Sequence, residues 1–282
     1  MSARHDRYPY SPIPARPVYD WPGGKRLAIY VALNLEWFSF GEGLGAELAP
    51  GGPQPDVLNY AWRDYGSRVG VFRLAALFDE LKLLGLAVDQ LGNVPTRTSG
   101  MVAVNSERQG DLTEYQERLL IEDTTAAIEK HSGKRPHGWL GLWISQSPLT
   151  PDLLQEAGYR YLLDWRHDDQ PVWMKTGKGR NLSVPYTQEL NDIPQIVARK
   201  REVAKFADMI VDSFEIMHEE CVQRPLVMGI ALHAYIVGWP HRFKHLSRAL
   251  RRIARRTDER VWFTTAGDIA DYAEQLPAGM VP

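Results

Sequence analysis

Runs of apolar residues alternate along the chain with amphipathic segments. The first run, residues 27–37 (LAIYVALNLEW), is almost uninterrupted in hydrophobicity, which is typical of a strand buried on both faces. Shorter runs rich in β-forming residues follow at 137–142, 159–164, 182–186, 226–233 and 261–264. Strands that alternate with helices predict an α/β protein with a parallel sheet, open or closed into a barrel. In either form, functional residues gather at the carboxyl ends of the strands.

Three helices are predicted between these runs. Apolar residues recur at helical spacing over residues 65–84, and Gly85 is expected to end that helix. A capping-box pattern marks the start of a second helix over about residues 113–130. A third helix is expected to begin at Thr150 and to stop before Gly158.

The composition is that of an ordinary globular protein. The chain has 282 residues, 44% of them hydrophobic, which supplies enough apolar material for a sizeable core. Its formal net charge of -2 argues against a nucleic-acid partner, because phosphate binding requires a basic face. Cys221 is the sole cysteine, so the sequence excludes an internal disulfide and a cysteine-bound zinc, and it fits a reducing cytoplasm.

The amino terminus is polar and rich in proline. Residues 1–24 do not resemble a secretory signal and are expected to form an extended arm. Four aromatic residues are expected to pin this arm to the body: Tyr8, Tyr10, Tyr19 and Trp21. Residues 25–282 are expected to form a single domain, because no linker divides them. No run reaches the roughly 20 apolar residues that span a bilayer, so no membrane partner is expected.

Polar residues stand where several predicted strands end. Glu36 lies near the end of the first run, where a buried carboxylate could act as a general base or acid, or could pair with an arginine. His233 ends the run 226–232, where an imidazole could protonate a leaving nitrogen, or could be a hydrogen-bonded core histidine. Other polar residues suit a ureide or acetamido group, or cap turns: Asp164, Asp168, Asp169, Asn191 and Asp192.

One histidine pair has the i, i+4 spacing that can hold zinc on a helix. His241 and His245 lie within or beside the strongly basic amphipathic stretch 242–256, without a nearby acidic third ligand. A solvated helix face is therefore the preferred interpretation of this pair.

Several short segments, in order, resemble one family. The segments are residues 21–24 (WPGG), 33–36 (LNLE), 65–70 (YGSRVG), 138–139 (GW), 168–169 (DD), 184–187 (VPYT), 191–192 (ND) and 229–233 (GIALH). In this order they resemble the polysaccharide deacetylase (NodB-homology) family, in its allantoinase-like branch, over most of residues 21–272. The resemblance implies a distorted (β/α) barrel and hydrolysis of amide-type carbon–nitrogen bonds in N-acetylated sugars or cyclic ureides. It also implies a homo-oligomer.

The resemblance also implies roles for individual residues. Asn34 falls in the family's first-strand acidic motif, where metal-dependent members carry an aspartate pair. Arg68 resembles a pocket arginine that could hold a substrate carboxylate, with a structural ion pair as the alternative. Trp143 could form an aromatic wall of the pocket, or could be a core residue.

The family's histidine box is missing from the sequence. In metal-using relatives, a strand after the first helix ends in two closely spaced histidines that complete an Asp-His-His zinc site. Residues 86–105 contain no histidine and are too few for the strand, helix and strand expected there, so the barrel is expected to be incomplete and no metal or other cofactor is expected.

A frameshift is one explanation of this segment. Residues 95–103 (PTRTSGMVA) can be back-translated so that a shifted frame reads DENVGHGR, which resembles the missing strand. A genuine short loop in a divergent relative is the alternative, and the nucleotide sequence would distinguish the two.

Two functions from different classes follow. The first is a carbon–nitrogen hydrolase in which Glu36 and His233 exchange protons with a small amide, ureide or N-acetylated sugar. The second is an inactive pseudoenzyme or ligand-binding scaffold, which the missing box favours. An aldolase-like barrel fits less well, because no lysine ends a predicted strand to form a Schiff base.

Overall fold

The computed structural model describes residues 5–38, 40, 46–83, 85–87, 103–104 and 108–282, and within these residues the strands form three separate sheets. The strands are β1 (Leu27–Asn34), β2 (Glu36–Trp37), β3 (Gly85–Ala87), β4 (Ala103–Val104), β5 (Gly138–Trp139), β6 (Tyr161–Leu162), β7 (Val172–Thr176), β8 (Gly179–Ser183), β9 (Leu226–His233) and β10 (Val261–Phe263). The helices are α1 (Val57–Tyr65), α2 (Val71–Leu81), α3 (Glu114–Ser132), α4 (Thr150–Glu156), α5 (Val203–Glu220), α6 (Ala234–Val237), α7 (Pro240–Arg256) and α8 (Ala266–Gln275).

The strand β1 is the centre of the first sheet. It pairs in parallel with β9 along its whole length, with β10 at its start and with β3 at its end. Every residue of β1 and β9 is buried, which confirms the strand that the apolar run 27–37 predicted and explains its lack of alternation. The register sets Asn34 beside His233 where both strands end.

The second sheet contains the middle part of the chain. Its order is β5-β6-β8-β7, with β5, β6 and β8 parallel and β7 antiparallel to β8. The predicted strand 182–186 begins earlier than expected, at Gly179, because it is the second arm of a hairpin. A two-residue connection, Gly177-Lys178, joins the arms. The hairpin partner, β7, was not predicted.

The helices agree with the sequence in type more than in bounds. The capping box of α3 is present, with both Thr113–Gln116 hydrogen bonds formed, and α4 begins at Thr150 as expected. The predicted helix 65–84 was wrong at both ends. The chain is helical from Val57, continues through a π-helical turn at Gly66–Gly70, and ends at Leu81. Lys82 takes the left-handed conformation (φ 52°) that ends the helix, and no helix of the described residues is apolar and long enough to cross a membrane.

The amino-terminal arm is held by aromatic and ionic contacts. Trp21 is fully buried in the core, and the Tyr8 ring stacks on His167 with 4.2 Å between ring centroids. Two ion pairs add to these contacts, Arg7 with Asp152 at 2.7 Å and Arg16 with Asp168. Tyr19 is buried as expected, whereas Tyr10 is 91% exposed and does not anchor the arm.

Candidate active site

A buried histidine–aspartate pair lies at the carboxyl ends of β1 and β9. His233 is 4% exposed, and its ring Nδ1 lies 2.6 Å from Oδ1 of Asp192. The other oxygen of Asp192 accepts the backbone N–H of His233 at 2.8 Å. Both oxygens of the carboxylate are therefore used to fix one residue, its main chain and its ring together. This arrangement holds the imidazole in one orientation and leaves its Nε2 as the edge that can exchange a proton.

The electrostatic surroundings favour the protonated form of this imidazole. Burial alone would lower the pKa of His233, but the Asp192 carboxylate and, to a smaller extent, the Glu36 carboxylate raise it above its usual value. A histidine with a raised pKa retains its proton to higher pH and can act as a general acid over that range. The sequence pointed to both residues of the pair, and the structure adds that they contact each other.

Glu36 and Asn34 surround the same strand ends. Glu36 lies in β2, within reach of the Tyr235 hydroxyl, and its charge adds to burial in raising the pKa of Tyr235. The Asn34 side-chain amide donates to the Tyr186 hydroxyl at 3.1 Å and to the Leu232 carbonyl at 3.2 Å. Asn34 therefore fastens β1 to β9 and positions a buried tyrosine in the site.

Three glycines allow the segment after His233 to pack closely. A Cβ on Gly66 would lie 2.5 Å from the backbone nitrogen of Tyr235, and a Cβ on Gly70 would lie 2.3 Å from the Ala234 carbonyl oxygen. Gly238 meets the same oxygen at 2.2 Å from its would-be Cβ. Gly66 and Gly70 of the YGSRVG segment thus present backbone without a side chain where α6 packs against it. Its glycines position the histidine strand end by allowing close backbone contact.

An arginine that the sequence did not single out lies near Glu36. Arg63 is 5% exposed and lines a narrow, partly open cleft that Glu36 and Asp64 also line. Arg68, the predicted pocket arginine, has a side chain that is 75% exposed and forms an ion pair with Asp64, one turn away. Its contacts fit the structural alternative. Nothing in the sequence around Arg63 marks it as buried, so the sequence analysis did not name it.

Asp164 is a second strand-end carboxyl with unusual surroundings. Its Oδ1 accepts the Gly141 N–H at 2.6 Å, while its buried Oδ2 has no hydrogen-bond partner among the described residues. Burial raises the pKa of Asp164 to about 7, and the Glu117 charge acts in the same direction against the Gly141 hydrogen bond. Glu117, by contrast, accepts hydrogen bonds from Gln109 at 2.8 Å, from Ser147 at 2.6 Å and from Thr150, which satisfy it as a structural group.

Trp143 follows β5 on the surface. The residue is 46% exposed, and its backbone takes the left-handed conformation, with φ 61°. Strained backbone of this kind is found preferentially at functional sites. The exposure does not fit the core alternative, and the aromatic wall stays a prediction.

The remaining predicted residues lie apart from this pair. Asp169 lines an open cleft together with Arg166 and Thr187, and its pKa is raised by burial and by Asp168. Asn191 is buried, and its side-chain oxygen accepts the Ile193 N–H at 3.0 Å, which is a turn-capping contact. Of the predicted polar cluster, Asp192 alone contacts His233 through a hydrogen bond within the described part of the chain.

The residues present do not fit the zinc site of the metal-using relatives. Within the described ranges, no three His, Cys, Asp or Glu side chains lie close enough to hold a metal ion. Both Asp192 oxygens already bind His233, and His245 contacts Arg248 on α7. The missing-box segment 86–105 lies largely outside the described residues. No step is therefore derived through a metal ion.

The chain is similar in sequence and in fold to several known proteins. A candidate polysaccharide deacetylase of Schizosaccharomyces pombe is 28% identical over 284 aligned positions, covering 88% of this chain and 85% of that protein. The crystal structure of a candidate polysaccharide deacetylase from Pseudomonas aeruginosa PAO1 is 26% identical, with a TM-score of 0.78 over 92% of this chain and 94% of that one. PuuE allantoinase is 24% identical, with a TM-score of 0.80 over 96% and 97% of the two chains.

These similarities confirm the resemblance that the ordered motifs suggested. No family model matches the chain. The likeness in sequence is to polysaccharide deacetylases, and the likeness in fold extends to the allantoinase. The fold is thus the α/β fold of the polysaccharide deacetylase type, and the separate sheets of the described residues agree with a distorted barrel.

Proposed function

We propose that this chain hydrolyses a non-peptide carbon–nitrogen bond of amide or ureide type. The observation that carries the proposal is the His233–Asp192 pair, which is buried at the carboxyl ends of two adjacent parallel strands with Glu36 beside it. Relatives named as polysaccharide deacetylases and a fold neighbour named as an allantoinase support the same reaction class. Strand ends are also where α/β folds of this kind carry their chemistry.

The geometry supports a direct attack of water on the substrate carbonyl. Glu36 accepts a proton from the water as its oxygen bonds to the carbonyl carbon, and the carbonyl oxygen becomes a tetrahedral oxyanion. The protonated His233 then donates its proton to the nitrogen, the carbon–nitrogen bond breaks, and the oxyanion collapses to the acid. Asp192 stabilises the imidazolium before the transfer. The products are a carboxylic or carbamic acid and an amine or amide.

The substrate is expected to be a small molecule with an N-acyl or ureido group. Asn34, which is buried at the strand end, Asp164 and the exposed Trp143 are proposed to contact it. Arg68 is paired with Asp64 and Asp169 lines a separate cleft, so neither is part of this proposal. N-acetylated sugars and cyclic ureides such as allantoin are the two classes to test first. A role in carbohydrate metabolism is part of this proposal.

The test is a turnover assay on the purified chain with matched variants. Acetate release from N-acetylglucosamine oligomers and ring opening of allantoin are measured for the wild type, Glu36→Gln and His233→Ala. His218→Ala is the control, because His218 also pairs with an aspartate, Asp258, but at the amino ends of β9 and β10, opposite the strand-end site. We expect turnover that both site variants lose and the control keeps. Absence of turnover on both substrates, with and without added zinc, would contradict the proposal.

A ligand-binding scaffold without turnover is the second candidate. It is favoured by the lack of histidines in residues 86–105 and by the lack of a fitting metal site in the described ranges. Here a substrate analogue would raise the thermal midpoint of the protein without being consumed. Product formation at any measurable rate that depends on His233 would exclude this candidate.

The compartment and the assembly of the protein stay predictions from the sequence. The single cysteine, Cys221, is buried and fits a cytoplasmic location. A homo-oligomer is expected from the family resemblance, and light scattering of the purified chain would measure it.

A further inference from the structure

Arg63 differs from most arginines of the described chain in having no carboxylate partner. Arg7, Arg16 and Arg251, for example, each form an ion pair with an aspartate or glutamate. Arg63 is 5% exposed, and among the described residues no carboxylate lies within 4 Å of its guanidinium. Burial of an arginine without a carboxylate partner is unfavourable, because the guanidinium loses its hydration. Such a cost calls for a compensating role.

The guanidinium of Arg63 is held in a fixed plane. Its Nε donates to the Ala46 carbonyl at 3.0 Å, and its Cζ lies 4.5 Å from the centre of the Phe38 ring. These contacts occupy one edge and one face of the group. Within the described residues, no hydrogen bond engages Nη1 or Nη2, the edge that can form two parallel hydrogen bonds. The side chain is therefore pre-organised, and its paired donors have no partner among the described residues.

Arg63 and Glu36 line the same cleft. The other residues that line this partly open cleft are Phe38, Tyr60, Asp64 and Ser67. Asp64 is neutralised by its ion pair with Arg68, so Arg63 is the cation of this cleft that is not already paired with a carboxylate among the described residues. A small planar anion matches the two free N–H groups in shape and charge.

We infer that Arg63 binds a carboxylate carried by the substrate, so that the chain acts on acidic amides or ureides. This inference rests on the proposed function, since Glu36 in the same cleft is the proposed base. A neutral N-acetylated sugar would leave the Arg63 donors unpaired. A substrate with an acyl nitrogen and a nearby carboxylate would place the carboxylate on Arg63 and its carbonyl towards Glu36.

The test compares an acid with its neutral amide. N-acetylglycine and N-acetylglycinamide differ in the carboxylate alone, and both release acetate on hydrolysis of the acetyl group. Binding is measured by calorimetry and acetate release by a coupled assay, for the wild type, Arg63→Gln, Arg63→Lys and the surface control Arg251→Gln. We expect the wild type to bind the acid about 10- to 100-fold more tightly than the amide.

Arg63→Gln should abolish this preference, and Arg63→Lys should keep part of it, because lysine retains the charge but not the paired donors. The control should match the wild type. Equal affinity of the wild type for the two compounds, or no binding of the acid, would overturn the inference even if Arg63→Gln proved too unstable to study. Binding of the acid without acetate release would leave the inference standing and contradict the proposed hydrolysis. Equal loss of kcat for both compounds in Arg63→Gln would assign the arginine to the oxyanion and overturn the inference.

Discussion

Two histidine–aspartate pairs lie at opposite ends of the parallel strands. His233 and Asp192 meet where β1 and β9 end, at 2.6 Å. His218 and Asp258 meet at 3.1 Å where β9 and β10 are about to begin, because His218 is near the end of α5 and Asp258 precedes β10. The pairs have the same chemistry and different surroundings. We propose that the difference in their surroundings distinguishes the catalytic pair, His233–Asp192, from the structural pair, His218–Asp258.

The two aspartates differ in the residues that their carboxylate oxygens bind. Asp192 is fully buried and gives both oxygens to one histidine. Asp258 is about one-third exposed and gives one oxygen to His218 and the other to Arg260, at 2.6 Å. The Arg260 hydrogen bonds hold the pKa of Asp258 well below its usual range, despite an opposing effect of burial. Arg260 thus competes with His218 for Asp258, whereas both oxygens of Asp192 bind His233.

The largest expected effect is on catalysis. Asp192→Asn removes the charge that keeps His233 protonated, and kcat/KM should fall by about 100- to 10,000-fold. Because Asp192 raises the pKa of His233, the variant should lose activity at lower pH than the wild type as pH increases. The pH profile of kcat/KM and an NMR titration of the imidazole measure the two effects. An unchanged His233 titration would contradict the assigned role.

The His233 strand end could be predicted because it is marked locally. An apolar run of eight residues ends in a polar one, and the register of β1 and β9 then brings Glu36 and His233 close together. The Asp192 contact bridges 41 residues, so the sequence suggested the residue without its partner. Arg63 lay beyond prediction for a similar reason. Its burial depends on Phe38 and Ala46, which are distant in sequence.

The fold was predicted in type and order more than in detail. The buried strands β1 and β9 have continuous apolar sequences, whereas β7 (VWMKT) is a short run in which buried residues alternate with less buried ones. The helix bounds failed at Gly85 because Lys82 takes the left-handed conformation that glycine usually supplies. The helix α5 was missed for want of a clear sequence boundary, since neither its first nor its last position carries a side-chain cap.

The ionisation of Asp164 is expected to lower the stability of the folded protein. Its pKa of about 7 in the folded chain exceeds the value of about 3.9 for an unfolded one. The folded state therefore binds the proton more tightly, and the free energy of unfolding falls as pH rises between these values. The loss from pH 5 to pH 7.5 is up to about 2.5 kcal/mol.

The Asp164→Asn variant tests this assignment. The amide keeps an acceptor for Gly141 and does not titrate, so its stability should depend less on pH over that range. Urea unfolding of both proteins at pH 5 and pH 7.5 gives the comparison. Equal pH dependence of the wild type and the variant would show that Asp164 is ionised throughout.

The glycine contact behind His233 predicts a smaller loss. Gly70→Ala places a Cβ within 2.3 Å of the Ala234 carbonyl oxygen, so α6 must shift and the free energy of unfolding should fall by about 1–3 kcal/mol. The shift would also displace His233 and lower kcat. Gly179→Ala is the matched control, because a Cβ there meets nothing within 4 Å, and its effect should stay within about 0.5 kcal/mol. Equal stability of the two variants would contradict the close contact.

The smallest expected effect belongs to the second histidine–aspartate pair. Asp258→Asn weakens contacts with His218 and Arg260 that are partly exposed, so the free energy of unfolding at pH 7 should fall by about 0.5–1 kcal/mol. Because the folded pKa of Asp258 is lowered, its stabilisation is present above about pH 4, the unfolded value, and is lost as pH falls below it. The difference between wild type and variant should therefore shrink in acid, as urea unfolding at pH 7 and pH 3 would measure.

The variant should keep kcat/KM within about twofold, since its pair lies at the amino ends of the strands, away from Glu36. A large loss of activity in Asp258→Asn would mean that position relative to the strand ends does not separate the two pairs.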